Sequence, residues 1–124
     1  MLVLEDEPVS ALLLAKVITD RGWDVCGPHH GTKEALKAVA RRLPDAALLD
    51  VSLGAETSRA VADALSEAGV PFAFVTGYGP ETAAMVAAHP ECLVIPKPLD
   101  PETASMLLDE LLSGREAGRA RGAA

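Results

Sequence analysis

The sequence predicts an α/β fold: a doubly wound, five-stranded parallel sheet flanked by five helices. Short apolar blocks alternate with longer helical patterns, five times along the chain. The blocks are continuous rather than alternating, as strands buried on both faces require. Five such units are too few to close a barrel, which needs eight, so the sheet stays open.

The first block, residues 2–4, precedes a helix over 9–18, with Pro8 suited to its first turn. The second block, 23–26, carries Asp24 and fits a sheet edge, with Trp23 as a packing residue at its start. A helix over 32–43 follows, its apolar face marked by Leu36, Val39, Ala40 and Leu43 at helical spacing. The third block, 46–49, leads to a helix over 58–68, and the fourth, 72–75, to one over 80–89. The fifth, 93–95, leads to a helix over 101–112 that begins at Pro101 and turns Ala104, Leu107, Leu108 and Leu111 to one side. Gly22, Pro44, Gly69, Pro71 and Pro90 separate the elements. Residues 1–113 thus make one domain. Residues 114–124 are small and polar with no apolar period, and read as a disordered tail.

A chain of 124 residues suits a single domain with its own core. With aromatics at 3%, that core is built from Leu, Val and Ala. A formal charge of −7 argues against direct nucleic-acid binding, which wants a basic face. No apolar run approaches the roughly 20 residues that cross a bilayer, and no basic segment leads into an apolar one as in a signal peptide. Cys26 and Cys92 stand far apart in no metal-like spacing, which predicts a reduced, cytoplasmic protein. His29 and His30 read as a polar loop after the edge strand, and His89 as a helix-end residue suited to the dipole.

Ligands of open parallel sheets bind at the carboxyl ends of the strands. There the sequence places Glu5, Asp6 and Glu7 after the first strand, Asp50 after the third, Thr76 after the fourth and Lys97 after the fifth. Crowded carboxylates raise the pKa of one of them or attract a cation. A hard ion such as Mg2+ prefers a few carboxylates, carbonyls and water. Three unrelated solvated acids are the alternative. Asp50 is delivered by the apolar run 46–49 to a rigid position, and a carboxylate can attack phosphorus to form an acyl phosphate. Lys97, between two prolines, supplies a point charge for a phosphoryl oxygen, and Thr76 a hydroxyl. For Lys97 a solvated surface charge is the plainer alternative, and for Thr76 a helix cap.

Together these residues resemble the response-regulator receiver domain of two-component signalling. The resemblance rests on Leu4-Glu5-Asp6-Glu7-Pro8, Leu48-Leu49-Asp50, Thr76 and Lys97-Pro98, and covers roughly residues 1–113. It implies a flavodoxin-like sheet in the order 2-1-3-4-5, with Asp50 as phosphoacceptor. It also implies Mg2+ held by Asp6, Asp50 and the Ser52 backbone carbonyl, with Glu5 nearby through water. Residues 74–78 look like a subgroup of stand-alone receivers in which Thr is followed by Gly and an aromatic. Two departures matter. The acidic pair is Glu-Asp rather than Asp-Asp. Position 94 is Val where many receivers carry a switching Tyr or Phe, so Tyr78 is the substitute candidate.

The resemblance implies phosphoryl transfer from a sensor histidine kinase or phosphotransfer protein to Asp50. The added charge of about −1.5 to −2 would then change the face that a downstream protein meets, at the fourth helix and fifth strand. The alanines of that helix cannot all face inward, which suits docking. Beyond its own phosphorylation no substrate turnover is expected, so the chain is not read as an enzyme. A monomer or weak homodimer is expected. A stand-alone regulator, a phosphate shuttle and a piece of a longer protein stay open. The main alternative is a receiver-like interaction module that is never phosphorylated. A haloacid-dehalogenase-type phosphatase would want a second Asp where Ser52 stands. A flavodoxin-like FMN carrier would want a phosphate-cradling loop where the three acids stand.

Overall fold

The computed structural model describes the chain except residues 55, 78, 91 and 124, and except the side chains of 80, 81 and 114–123. Its elements, in chain order, are β1 (Leu2–Leu4), α1 (Pro8–Asp20), β2 (Cys26–His29), α2 (Thr32–Arg41), β3 (Ala47–Asp50), β4 (Ser52–Leu53), β5 (Glu56–Thr57), α3 (Arg59–Glu67), β6 (Phe72–Thr76), α4 (Pro80–Ala88), β7 (Leu93–Pro96) and α5 (Pro101–Ala123). Five strands form one sheet in the order β2-β1-β3-β6-β7, every pair parallel. This is the expected 2-1-3-4-5 order. A short antiparallel hairpin, β4–β5, is added between β3 and α3.

Strand alternation divides the core into two layers. Leu2, Leu4, Ala47, Leu49, Phe72 and Phe74 face one side, where Ala35 of α2, Val61 and Leu65 of α3 and Met85 of α4 cover them. Val3, Leu48, Ala73, Val75 and Ile95 face the other, under Leu14 and Ile18 of α1 and Ala104, Leu108 and Leu111 of α5. Both faces of the central strands are dry, which is why their sequence shows no polar alternation. Phe74, the largest fully buried side chain, stacks edge-on against Phe72 at 5.4 Å. Phe74→Ala is expected to cost about 3–5 kcal/mol, measurable as a lower urea midpoint at unchanged slope.

Three elements depart from the sequence pattern. The edge strand begins at Cys26 rather than residue 23, so His29 lies in the strand and not in a loop. Trp23 and Val25 instead pack into the α1/α5 layer, and pairing starts where Cys26 N donates to Met1 O at 2.8 Å. Gly27 permits this course: its φ is +106°, and a Cβ there would meet His29 N at 2.5 Å. Second, α2 turns Ala35, Leu36 and Val39 inward while Ala40 is exposed and Leu43 lies beyond its end. Pro44 disfavours helical backbone at Leu43, which stops the predicted face short. Third, the helical backbone of α5 runs on to Ala123, where a disordered tail is expected over 114–124. Ala, Arg and Glu favour a helix there without any apolar period, although Gly114, Gly118 and Gly122 oppose it; residue 124 lies outside the described residues.

Candidate functional site

Each chemically active side chain hangs from the carboxyl end of a strand. β1 hands over to Glu5, Asp6 and Glu7, β3 ends in Asp50, β6 ends in Thr76, and β7 hands over to Lys97. Register aligns these ends on one rim: Leu4 pairs with Leu49, Asp50 with Val75 and Thr76 with Pro96. Lys97 N then donates to Thr76 O at 2.8 Å, which anchors the last loop. The Lys97–Pro98 bond is cis.

The side chains converge. Lys97 Nζ donates to Asp50 Oδ2 at 3.1 Å and lies 2.8 Å from Glu5 Oε1 and 4.0 Å from Glu7 Oε2. Glu5 is fully buried and Asp50 nearly so, whereas Asp6 and Glu7 are exposed. One carboxylate oxygen from each of Glu5, Asp6 and Asp50 lies within 4.8 Å of the others. Ser52, at the start of β4, is exposed, and its amide donates to Asp50 Oδ1 at 3.3 Å. Val94 is half-buried in β7 opposite Phe74. Tyr78 lies outside the described residues.

The electrostatics follow from this crowding. Burial, reinforced by the neighbouring Asp50, pushes the Glu5 carboxyl up to about 8 against the pull of Lys97. Burial lowers the Lys97 ammonium, but its contacts with Glu5 and Asp50 outweigh that and hold it above its ordinary value. Glu5 is the larger of the two influences that keep the ammonium charged, and Asp50 the second. Among the described residues, Glu5 Oε1, although close to Nζ, accepts no aligned hydrogen bond. A buried oxygen short of partners, among three carboxylates with no sulfur or imidazole, is a donor set that fits a small hard dication.

A pH dependence follows. The folded chain keeps a proton on Glu5 that the unfolded chain has released, so stability should fall as pH rises between the ordinary 4.5 and about 8, and level off above. Urea melts across that window should show this slope in metal-free buffer, and Glu5→Gln should flatten it.

Several neighbours carry no signal in the sequence. The edge strand and the residue after it hold the Glu5 backbone: the His29 carbonyl accepts from Glu5 N at 2.9 Å, and His30 Nδ1 lies 3.0 Å from the Glu5 carbonyl oxygen. Thr76 Oγ1 lies 2.6 Å from the hydroxyl of Thr82 on α4, both side chains buried. His89 is more than a dipole partner: it is buried against Phe72 and Phe74, and its Nε2 sits 2.8 Å from Asp63 Oδ1. That contact and Arg59 hold the Asp63 carboxyl below the usual carboxylate range. It also ties the end of α4 to α3.

An open 2-1-3-4-5 sheet with acids, a hydroxyl and a lysine at its carboxyl rim defines a receiver-type α/β domain. Comparison with known proteins agrees. The phyllosphere-induced regulator PhyR of Methylorubrum extorquens is 32% identical over 125 residues, spanning 98% of this chain and 46% of that protein. A solved structure of the PhyR stress response regulator is 33% identical, with a TM-score of 0.75 over 90% of this chain and 43% of that one. The signal receiver domain of a modulated diguanylate cyclase from Desulfovibrio desulfuricans G20 superposes with a TM-score of 0.80 at 23% identity, over 94% of this chain and 95% of that one. No family model matches. The chain spans less than half the length of the curated relatives it matches. It is a response-regulator receiver domain, and these relatives support a receiver role in phosphorelay signalling. Among the described residues, no helix is long and apolar enough to cross a membrane.

Proposed function

We propose that the protein accepts a phosphoryl group on Asp50 from a phosphohistidine of a sensor histidine kinase or phosphotransfer protein. The observation that carries this is Lys97 Nζ at 3.1 Å from Asp50 Oδ2, beside three carboxylates whose oxygens lie within 4.8 Å of one another. An Asp50 oxygen attacks phosphorus, the phosphorus–nitrogen bond of the donor breaks, and the imidazole leaves. Glu5, Asp6 and Asp50 would hold Mg2+, with the Ser52 carbonyl as a further donor. When bound, the ion neutralises charge on the phosphoryl oxygens. Lys97 shifts from Asp50 toward a phosphoryl oxygen, and Thr76 donates its hydroxyl to another. The buried setting of Asp50 limits access of water to the acyl phosphate.

The chain acts as a switch rather than an enzyme: it takes one phosphoryl group on itself and turns over no separate substrate. A downstream protein meets the α4/β7 face, where Ala83, Ala84 and Ala87 are exposed. The net charge of −7 disfavours nucleic acid as the direct partner. Two free cysteines, Cys26 and Cys92, suit the cytoplasm, and a monomer or weak homodimer suits a switch of this size. Incubation with acetyl phosphate and Mg2+ tests the reading. The intact mass should rise by one phosphoryl group, and chelation with EDTA should prevent it. An unchanged mass under both conditions would favour an interaction module that is never phosphorylated.

A further inference from the structure

The receiver fold needs a device that carries the state of Asp50 to α4, and position 94 offers no aromatic ring for it. Val94 is half-buried in β7 and has no polar atom. A polar link runs elsewhere. Thr76 ends β6, one residue beyond the register partner of Asp50, and its Oγ1 lies 2.6 Å from Thr82 Oγ1. Thr82 belongs to the first turn of α4, where its amide donates to Gly79 O at 3.0 Å. Both threonines are buried, at 4% and 6% exposure, so water does not compete for the contact.

We infer that Thr82 is a positioning residue that couples α4 to the phosphoryl site through the Thr76 hydroxyl. The inference rests on the reading that Asp50 is phosphorylated. Each hydroxyl has one proton to give and two lone pairs. Without a phosphoryl group, either threonine can be the donor. With one, Thr76 commits its proton to a phosphoryl oxygen, and only Thr82 can complete the pair, by donating to Thr76. The direction of the pair becomes fixed, and each bond in such a chain polarises and strengthens the next. Movement of Thr76 toward the phosphoryl group then draws the first turn of α4 with it. The exposed alanines of that helix move as one face.

Thr82→Val keeps the shape and removes the proton; Thr82→Ser keeps the proton. Two readouts on the full chain separate chemistry from relay: intact mass after acetyl phosphate with Mg2+, and amide hydrogen exchange over residues 83–88. Wild type, Thr82→Val and Thr82→Ser should all gain one phosphoryl group. Phosphorylation should change exchange in α4 of wild type and Thr82→Ser but not of Thr82→Val. Thr82→Ala serves as a second deletion of the hydroxyl should Val fail to fold. A wild-type response of α4 in the folded hydroxyl-free variants would overturn the relay. So would an α4 that is indifferent to phosphorylation in wild type, or loss of the mass gain in Thr82→Val alone. No mass gain in wild type would instead sink the phosphoacceptor reading, and the relay with it.

Discussion

Asp50→Asn should gain no phosphoryl mass from acetyl phosphate while folding to the same parallel sheet. The amide is nearly the same size as the carboxylate, so the packing of Ala47, Leu48 and Leu49 behind it is preserved. Its chemistry is not preserved. An amide oxygen is a far weaker nucleophile, and the site loses one of its three clustered carboxylates. Magnesium affinity should therefore fall by about tenfold or more, since losing even a supporting group of a metal site commonly costs that much. The Lys97 ammonium would keep Glu5 as its main carboxylate partner at 2.8 Å, which should draw the Glu5 carboxyl back down from about 8. Titration with Mg2+ and intact-mass measurement check both parts. A retained mass gain would place the phosphoryl group elsewhere.

Lys97→Met is the second large effect, and it should separate binding from transfer. Lys97 contacts both Asp50 and Glu5, so it competes with a dication for the same oxygens. Removing it should leave magnesium affinity unchanged or tighter. Phosphoryl acceptance should slow on the order of 10²-fold, the usual consequence of deleting one positioned donor to a developing anion. Lys97→Arg should restore only part of the rate, because a planar fork does not occupy the place of a compact ammonium. Time courses of phosphoryl gain at saturating Mg2+ measure this. A variant that loses magnesium binding but keeps its rate at saturation would contradict the assigned role.

Much of the fold was legible because its central strands are unambiguous. Residues 2–4, 46–50 and 72–76 are apolar without interruption up to the acid or hydroxyl that ends them, and the structure buries them as that pattern demands. The rim was legible for the same reason. In an open sheet, whatever follows a strand faces the site, so Glu5, Asp6, Asp50, Thr76 and Lys97 could be gathered without knowing a single distance.

What escaped the sequence is long-range or locally irregular. The edge strand was placed too early because Trp23 and Val25 look like strand residues, yet they pack into the α1/α5 layer while Gly27 bends the true strand. The β4–β5 hairpin is two residues a side, too short for any period to show. Glu5 reads as one of three equivalent acids. Only the folded chain, with the edge strand paired along its backbone, reveals it as the buried one. Thr82 gave no signal, since a threonine in the first turn of a helix ordinarily needs no partner.

The most direct test is to locate the phosphoryl group chemically. Hydroxylamine attacks an acyl phosphate, releases inorganic phosphate and leaves an aspartyl hydroxamate that peptide mass spectrometry assigns to one residue. After acetyl phosphate and Mg2+, a hydroxamate at Asp50 alone is the predicted result. A hydroxamate at Asp6 or Glu5, or none in protein that has gained phosphoryl mass, would contradict the account.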